Sequence, residues 1–282
     1  MSDTDLLRLG LIGDNIAASL SPRLHELAGQ LAGRPVRYDR LVPRELGLDF
    51  EALFAKAAGA GYAGLNITYP YKERVIPLVR IEDPRVARLG AVNTVLFDRD
   101  GAKGFNTDFT GFIAGYRKVL GDRAPGAVCM AGAGGVGKAV AFGLLALGLE
   151  RLAIVERDLA RAEALAKSLR VAAPHLVVRV TADPAEAAAG ANGFVNCTPL
   201  GMVGIGGTPL PRPLLRGGDW AFDAVYTPVE TPFLADAQAE GLAIMSGFEL
   251  FFYQGAHAWV IFGGGPIDQG ALRRAIEAEA AT

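Results

Sequence analysis

The chain has 282 residues, of which 51% are apolar, a formal net charge of -2 and a pI near 6.0. That length exceeds what one hydrophobic core usually organises, so two domains are expected. The near-neutral balance, with no long run among 28 basic residues, excludes a nucleic-acid or anionic-membrane surface.

In chain order, the acidic start "MSDTDLLRLG" has no basic segment followed by an apolar stretch, so a secretory signal is not expected and the mature chain starts near Met1. The first hundred residues alternate strand-like and helical patterns: "LRLGLI", a helix from Pro22 to Gly33, "VRYDRLV", a helix from Asp49 to Gly61, "AGLNIT", a helix from Pro70 to Leu78, and "AVNTVLF". The segment "NTDFTGFIAGYRKVLG" puts Phe109, Phe112, Ile113, Tyr116 and Leu120 at helical spacing and reads as a helical link. A second series follows: "GAVCMAG", a helix from Gly137 to Leu147, "RLAIVE", a helix from Leu159 to Leu169, "LVVRVT", "GFVNCTP", "WAFDAVY" and "LAIM". This predicts a doubly wound sheet. From Phe248 to Phe262 a last helix shows Phe248, Phe251, Phe252, Gly255, Trp259 and Phe262 on one face, which is expected to return to the first domain. The most apolar stretch, residues 139–149, is about half of a bilayer-spanning helix.

The fold expected is therefore α/β with two domains. Residues 1–105 with 246–282 form an α/β substrate-binding domain, and residues 106–245 a Rossmann-type dinucleotide-binding domain, the two meeting across a cleft. Cys129 and Cys197 lie in apolar runs and suggest buried free thiols in a reducing compartment; His25, His175 and His257 are scattered, so no metal is expected.

Gly132-Ala133-Gly134-Gly135-Val136-Gly137 fits G-x-G-x-x-G, follows a strand-like run and opens a helix. The glycines serve a tight turn, close backbone approach to a pyrophosphate and helix-to-strand packing. Glu156 ends the next strand-like run at the spacing of a ribose-binding carboxylate. Around it, "VERD" gives an NAD expectation over NADP, because Glu156 and Asp158 would repel a 2′-phosphate. Arg157 opposes this and is expected to be paired or stacked rather than free, while Asp158 also suits a cap for the helix starting at Leu159.

In "SLSP", Ser19 and Ser21 could hold a carboxylate, though Ser21 before Pro22 also reads as a helix N-cap. Thr68, Asn93 and Asp108 each lie at the end of a strand-like run, where α/β folds collect ligand groups. Lys72 falls in the first turn of the helix expected from Pro70. A helix N-terminus is poor company for a surface cation, but together with burial it favours a neutral amine, which suits a proton shuttle.

These stretches resemble the shikimate dehydrogenase family over almost the whole chain: "SLSP" with His25 after it, "GLNITYPYK", "GAVNTV", "GFNTD", "AGAGGVG", "NCTPLGM", "DAVYTPVETPFL" and "YQGAHAW". The resemblance implies that Ser19, Ser21 and Thr68 bind the carboxylate and ring of the substrate, that Lys72 and Asp108 form the proton-transfer dyad, and that Asn93, Tyr226 and Gln254 complete the substrate site. It adds Thr198 to the cofactor residues. Ala18 replaces the histidine usual before the first serine, and Glu249 and Leu250 stand where Gly and Met are usual. The segment from "NIAASLSP" through "YDRLVP" looks more like the branch that includes quinate/shikimate dehydrogenases. The activity implied is reversible oxidation of shikimate to 3-dehydroshikimate with a nicotinamide cofactor, a reaction of aromatic amino acid biosynthesis, in a cytoplasmic enzyme whose partner is a hydroxylated cyclohexene or cyclohexane carboxylate. Homodimerisation stays open. The alternatives are quinate as principal substrate and a non-catalytic dinucleotide-binding regulator; a regulator would lack Lys72 or Asp108, and both are present.

Overall fold

Strands and helices alternate along the chain, and the computed structural model, which describes residues 6–280, groups them into two units: Met1–Thr107 with Gln254–Thr282, and Asp108–Tyr253. The first contains β1 (Leu7–Ile12), α1 (Ser21–Ala32), β2 (Val36–Leu41), α2 (Phe50–Gly59), β3 (Gly64–Ile67), α3 (Pro84–Leu89), β4 (Thr94–Asp98) and β5 (Gly101–Phe105). Helix α4 (Thr107–Leu120) carries the chain into the second unit, which holds β6 (Ala127–Ala131), α5 (Gly135–Ala146), β7 (Arg151–Val155), α6 (Leu159–Ala172), β8 (Val177–Thr181), α7 (Pro184–Ala188), β9 (Gly193–Asn196), β10 (Trp220–Asp223), α8 (Pro232–Ala239) and β11 (Ala243–Met245). Helix α9 (Gly247–Ile261) crosses back, and α10 (Gln269–Ala280) follows it.

The first sheet has the order β2-β1-β3-β4-β5, with β4 and β5 antiparallel to their neighbours. Its core packs α2 and the turns after β3 against the sheet through Phe50, Leu53, Leu65, Val75 and Val95. Local chemistry sets the helix ends: Asp49 caps α2 by accepting from the Ala52 N–H at 2.7 Å, and α1 stops at Gly33, whose φ of 66° suits a residue without a side chain. Gly255 of α9 faces Leu24, where a Cβ would stand 2.5 Å from its methyl, so the part of that helix from Gln254 onward returns to α1, whereas Phe248, Phe251 and Phe252 of the expected face are counted with the second unit.

The second sheet is parallel throughout, in the order β11-β10-β9-β6-β7-β8. Its central strands are buried on both faces, which is why "AVCMA" and "GFVN" read as unbroken apolar runs. The chain reverses its direction of travel between β6 and β9, the point at which doubly wound sheets bind ligands.

The helix expected from Pro70 to Leu78 is absent. In its place are turns over residues 69–75 and a 3-10 helix, Ile76–Leu78. Two causes are visible. Pro77 has no N–H to continue an α-helix, and the Lys72 carbonyl accepts from the Val92 N–H at 2.8 Å instead of from the next turn. Lys72 therefore stands in a turn and not at a helix N-terminus.

Candidate active site

The register of the first sheet gathers one edge. Ile12 pairs with Ile67, Asn66 with Thr94, and Thr94 with Phe105, so the end of β1, the end of β3, the start of β4 and the end of β5 lie side by side. Asn93 thus stands at the start of antiparallel β4, not at a strand's end as expected, and antiparallel pairing is what brings it beside Thr68. Its N–H donates to the Phe105 carbonyl at 3.1 Å and its carbonyl accepts from Ile67 at 2.8 Å, so it bridges β3 and β5. Its amide oxygen accepts from the Thr107 N–H at 2.6 Å, fixing the residue next to Asp108.

Ser19 and Ser21 sit in the loop after β1 and at the head of α1. Leu20, not Ser21, occupies the N-cap position, and no side chain caps the helix. The capping role read for Ser21 does not hold: the bond runs the other way, with Ser19 Oγ accepting from the Ser21 N–H at 3.3 Å. The same loop is tied to the Lys72 turn, since Asp14 donates from its backbone to the Tyr69 carbonyl at 3.1 Å and its carboxylate accepts from the Tyr71 hydroxyl at 2.6 Å. Tyr71 is held in turn by a stack on Phe50, ring centroids 4.6 Å apart. Lys72 itself is half-buried. Gln254 belongs to this unit on α9, whereas Asp108 and Tyr226 are counted with the second unit, where Tyr226 stacks on Phe251 at 4.9 Å.

In the second unit the glycine run forms the turn from β6 into α5. Gly132 has φ 97°, and a Cβ there would stand 2.7 Å from the Cys197 carbonyl oxygen. Gly137 lies so close to the turn that its Cβ would be 2.4 Å from the Gly132 carbonyl. Gly134, at the N-cap of α5, faces open space, and no side chain caps the helix. A tight turn, an open approach and close helix packing are therefore divided among the three glycines, and the uncapped N–H groups with nothing beside Gly134 fit a dinucleotide pyrophosphate. At the end of β7, the Glu156 carboxylate accepts from the Ala133 N–H at 3.0 Å and the Asp158 N–H at 3.2 Å. Asp158 caps α6 by accepting from the Arg161 N–H at 3.1 Å, and it pairs with the Arg161 side chain. Arg157 is exposed and has no ion pair among the described residues, which corrects the paired reading of its guanidinium: both neighbouring acids have other partners.

Residues 11–95 match the shikimate dehydrogenase substrate binding domain. The chain is 40% identical over 266 residues to a quinate/shikimate dehydrogenase (NAD(+)) of Corynebacterium efficiens, covering 92% of this chain and 94% of the relative. It is 38% identical to a shikimate dehydrogenase (NADP(+)) of Arthrobacter sp., covering 94% and 92%. Among solved structures it is similar to quinate dehydrogenase from Corynebacterium glutamicum in complex with NAD, with a TM-score of 0.90, 36% identity and 97% and 99% of the two chains covered. The shikimate 5-dehydrogenase of Thermus thermophilus in complex with NADP(H) and shikimate superposes with a TM-score of 0.83 at 33% identity, covering 96% and 99%. The chain belongs to the shikimate dehydrogenase family.

For a family member, two departures have structural partners. Glu249 packs beside α4, where a Cβ on Gly115 would stand 3.1 Å from its Cβ, and Leu250 is buried. Ala18 is exposed. Sequence reading assigned no role to the polar residues that support the site. In the first unit, Asn66 accepts from the Tyr38 hydroxyl at 2.8 Å and donates to Thr94 at 3.2 Å, and Thr94 shares hydrogen bonds with Asn93 and Thr107. In the second, Asn196 and Asp223 are buried and bonded to one another at 2.9 Å, and burial pushes the Asp223 carboxyl up to about 6. The available signal was a polar residue inside an apolar strand, as in "LNI" and "AFD", because such groups are kept only when partnered.

Proposed function

We infer that this chain interconverts shikimate and 3-dehydroshikimate with a nicotinamide cofactor, NAD in preference to NADP. The observation that carries the reading is the gathering of Thr68, Asn93 and the loops bearing Ser19, Ser21 and Lys72 at one sheet edge, in a member of the shikimate dehydrogenase family. Hydroxyls of Ser19, Ser21 and Thr68 donate to the substrate carboxylate and ring, with Asn93, Tyr226 and Gln254 as the remaining contacts. Oxidising a carbinol removes a hydride from carbon and a proton from oxygen. When bound, the nicotinamide supplies the hydride acceptor. Lys72 Nζ takes the hydroxyl proton and returns it to the carbonyl oxygen in the reverse direction, with Asp108 orienting the amine. Lys72→Ala is expected to lower kcat by about a hundredfold or more, with a smaller effect on substrate binding. A variant with near-normal turnover overturns the role.

On the cofactor side the glycine run and the head of α5 hold the pyrophosphate, Glu156 takes the adenosine ribose hydroxyls with Asp158 beside it, and Thr198 contributes from the other side of the glycine turn. A 2′-phosphate would meet the Glu156 carboxylate, already pinned by two N–H groups, so NADP should be used at least about tenfold less well in kcat/KM. The exposed guanidinium of Arg157 is the opposing group. Assaying the purified protein with shikimate and quinate, each with NAD and NADP, tests substrate and cofactor together: equal or better use of NADP shows that Arg157 outweighs the acids, and turnover of quinate alone shows the second reading, which the likeness to a quinate dehydrogenase supports. We also propose a cytoplasmic enzyme. Two free cysteines, with burial raising the Cys129 thiol to about 12, support a reducing compartment.

A further inference from the structure

Asp223 ends β10 with no exposed surface, and both of its oxygens are engaged. Oδ1 accepts from Asn196 Nδ2 and from the Val225 N–H, each at 2.9 Å, and Oδ2 accepts from the Thr231 hydroxyl at 2.6 Å. The donors come from three segments: the end of β9, the loop leaving β10, and the residue that caps α8. A carboxylate enclosed in this way is costly to keep, so its partners are where its use should be sought.

Asn196 is equally buried, and its amide can point only one way. Nδ2 donates to Asp223 and to the Leu200 carbonyl at 3.0 Å, which leaves Oδ1 to accept from both the Thr198 N–H at 2.9 Å and the Thr198 hydroxyl at 2.7 Å. A flipped amide would set donor against donor at Thr198 and acceptor against acceptor at Asp223. Thr198 in turn abuts the cofactor turn, because a Cβ on Gly132 would stand 3.1 Å from its methyl. We propose that Asp223 is a positioning residue for the cofactor site: by fixing the sense of the Asn196 amide it sets the Thr198 turn against the glycine loop. The proposal rests on the reading of Thr198 as a cofactor-binding residue.

The test is NADH affinity, read by fluorescence titration of the full chain together with melting temperature, for Asp223→Ala, Thr198→Ala and the double variant. Ala removes the oxygen that accepts from Asn196, whereas Asn would keep an oxygen there to satisfy the Val225 N–H. Each single variant is expected to weaken NADH binding about five- to tenfold, and the double variant no more than the weaker single, because both act through one turn. If Asp223→Ala lowers the melting temperature and leaves NADH affinity unchanged, or if the two effects multiply, Asp223 is only a brace for the β10 and α8 ends and the proposal is overturned. If Thr198→Ala alone leaves NADH affinity unchanged, the Thr198 reading falls and the proposal with it. Should Asp223→Ala not fold, Asn196→Ala breaks the same relay, with the same affinity loss and the same lack of additivity expected with Thr198→Ala.

Discussion

Ser19 and Ser21 are two residues apart, yet the fold uses them differently. Ser19 Oγ accepts from the Ser21 N–H, whereas the Ser21 side chain caps nothing, although its helix begins there. Ser21→Ala should therefore raise the KM for shikimate while leaving the melting temperature nearly unchanged, and Ser19→Ala should raise KM and also cost about 0.5–1 kcal/mol for the lost local bond. Steady-state kinetics with a thermal melt of each variant checks this; a drop in melting temperature for Ser21→Ala with KM unaltered would remove Ser21 from the substrate site. What was legible at this scale follows from sequence distance. The capping by Asp158 and the placement of Glu156 depend on neighbours within a few residues or on a known strand-turn-helix spacing, so they could be read. The Asn196–Asp223 pair joins residues 27 apart and Asn66 joins Thr94 at 28, and nothing in a linear pattern pairs them.

Several elements were read within a few residues, but a period alone did not suffice: α10, with Leu272 and Ile276 at helical spacing, was not among them. Helix α5 and strand β6 were visible because an apolar run ends in glycines that only a turn and a close approach require. Strand β5, "GAKGF", has no alternation: it is an edge strand, and Gly104 is there because a Cβ would stand 2.6 Å from Val79. The run from Pro70 to Leu78 looks helical, but the carbonyl of Tyr69 just before it is claimed by Asp14 and that of Lys72 within it by Val92. The glycine turn yields a prediction that separates fold from binding. Gly134 has φ -74° and open space at its Cβ position, so Gly134→Ala should fold normally. Its methyl would stand where the pyrophosphate approaches, so NADH affinity should drop about tenfold or more. Gly132→Ala would strain a φ of 97° and press on the Cys197 carbonyl, so it should also lower the melting temperature, by the few kcal/mol typical of a misfitted core position. Equal NADH affinity in Gly134→Ala and the parent chain would mean that the pyrophosphate lies elsewhere.

At the scale of the whole molecule, the first unit is closed by chain from both ends of the sequence, while the second is one continuous stretch. Helix α10 lies against α1, its Leu272 and Ile276 are buried, and Arg23 of α1 pairs with Glu279 of α10. Burial of the two aliphatic side chains is worth about 1.5–3 kcal/mol each, whereas the exposed ion pair adds little. Helix α1 begins at Ser21, so α10 braces the element that presents the proposed carboxylate contacts. The continuous unit does not include α10, and all six of its strands lie between Ala127 and Met245. A chain ended after Pro266 should therefore lose shikimate binding, measured by calorimetry, and the melting transition that shikimate raises, while keeping NADH affinity within about twofold, less than the tenfold that 1.4 kcal/mol would produce. NADH should still lift the remaining transition, because a ligand stabilises only the unit that binds it. If NADH binding disappears in step with shikimate binding, the two units fold as one cooperative body, and the division of labour between them is thermodynamically empty even though each keeps its own sheet.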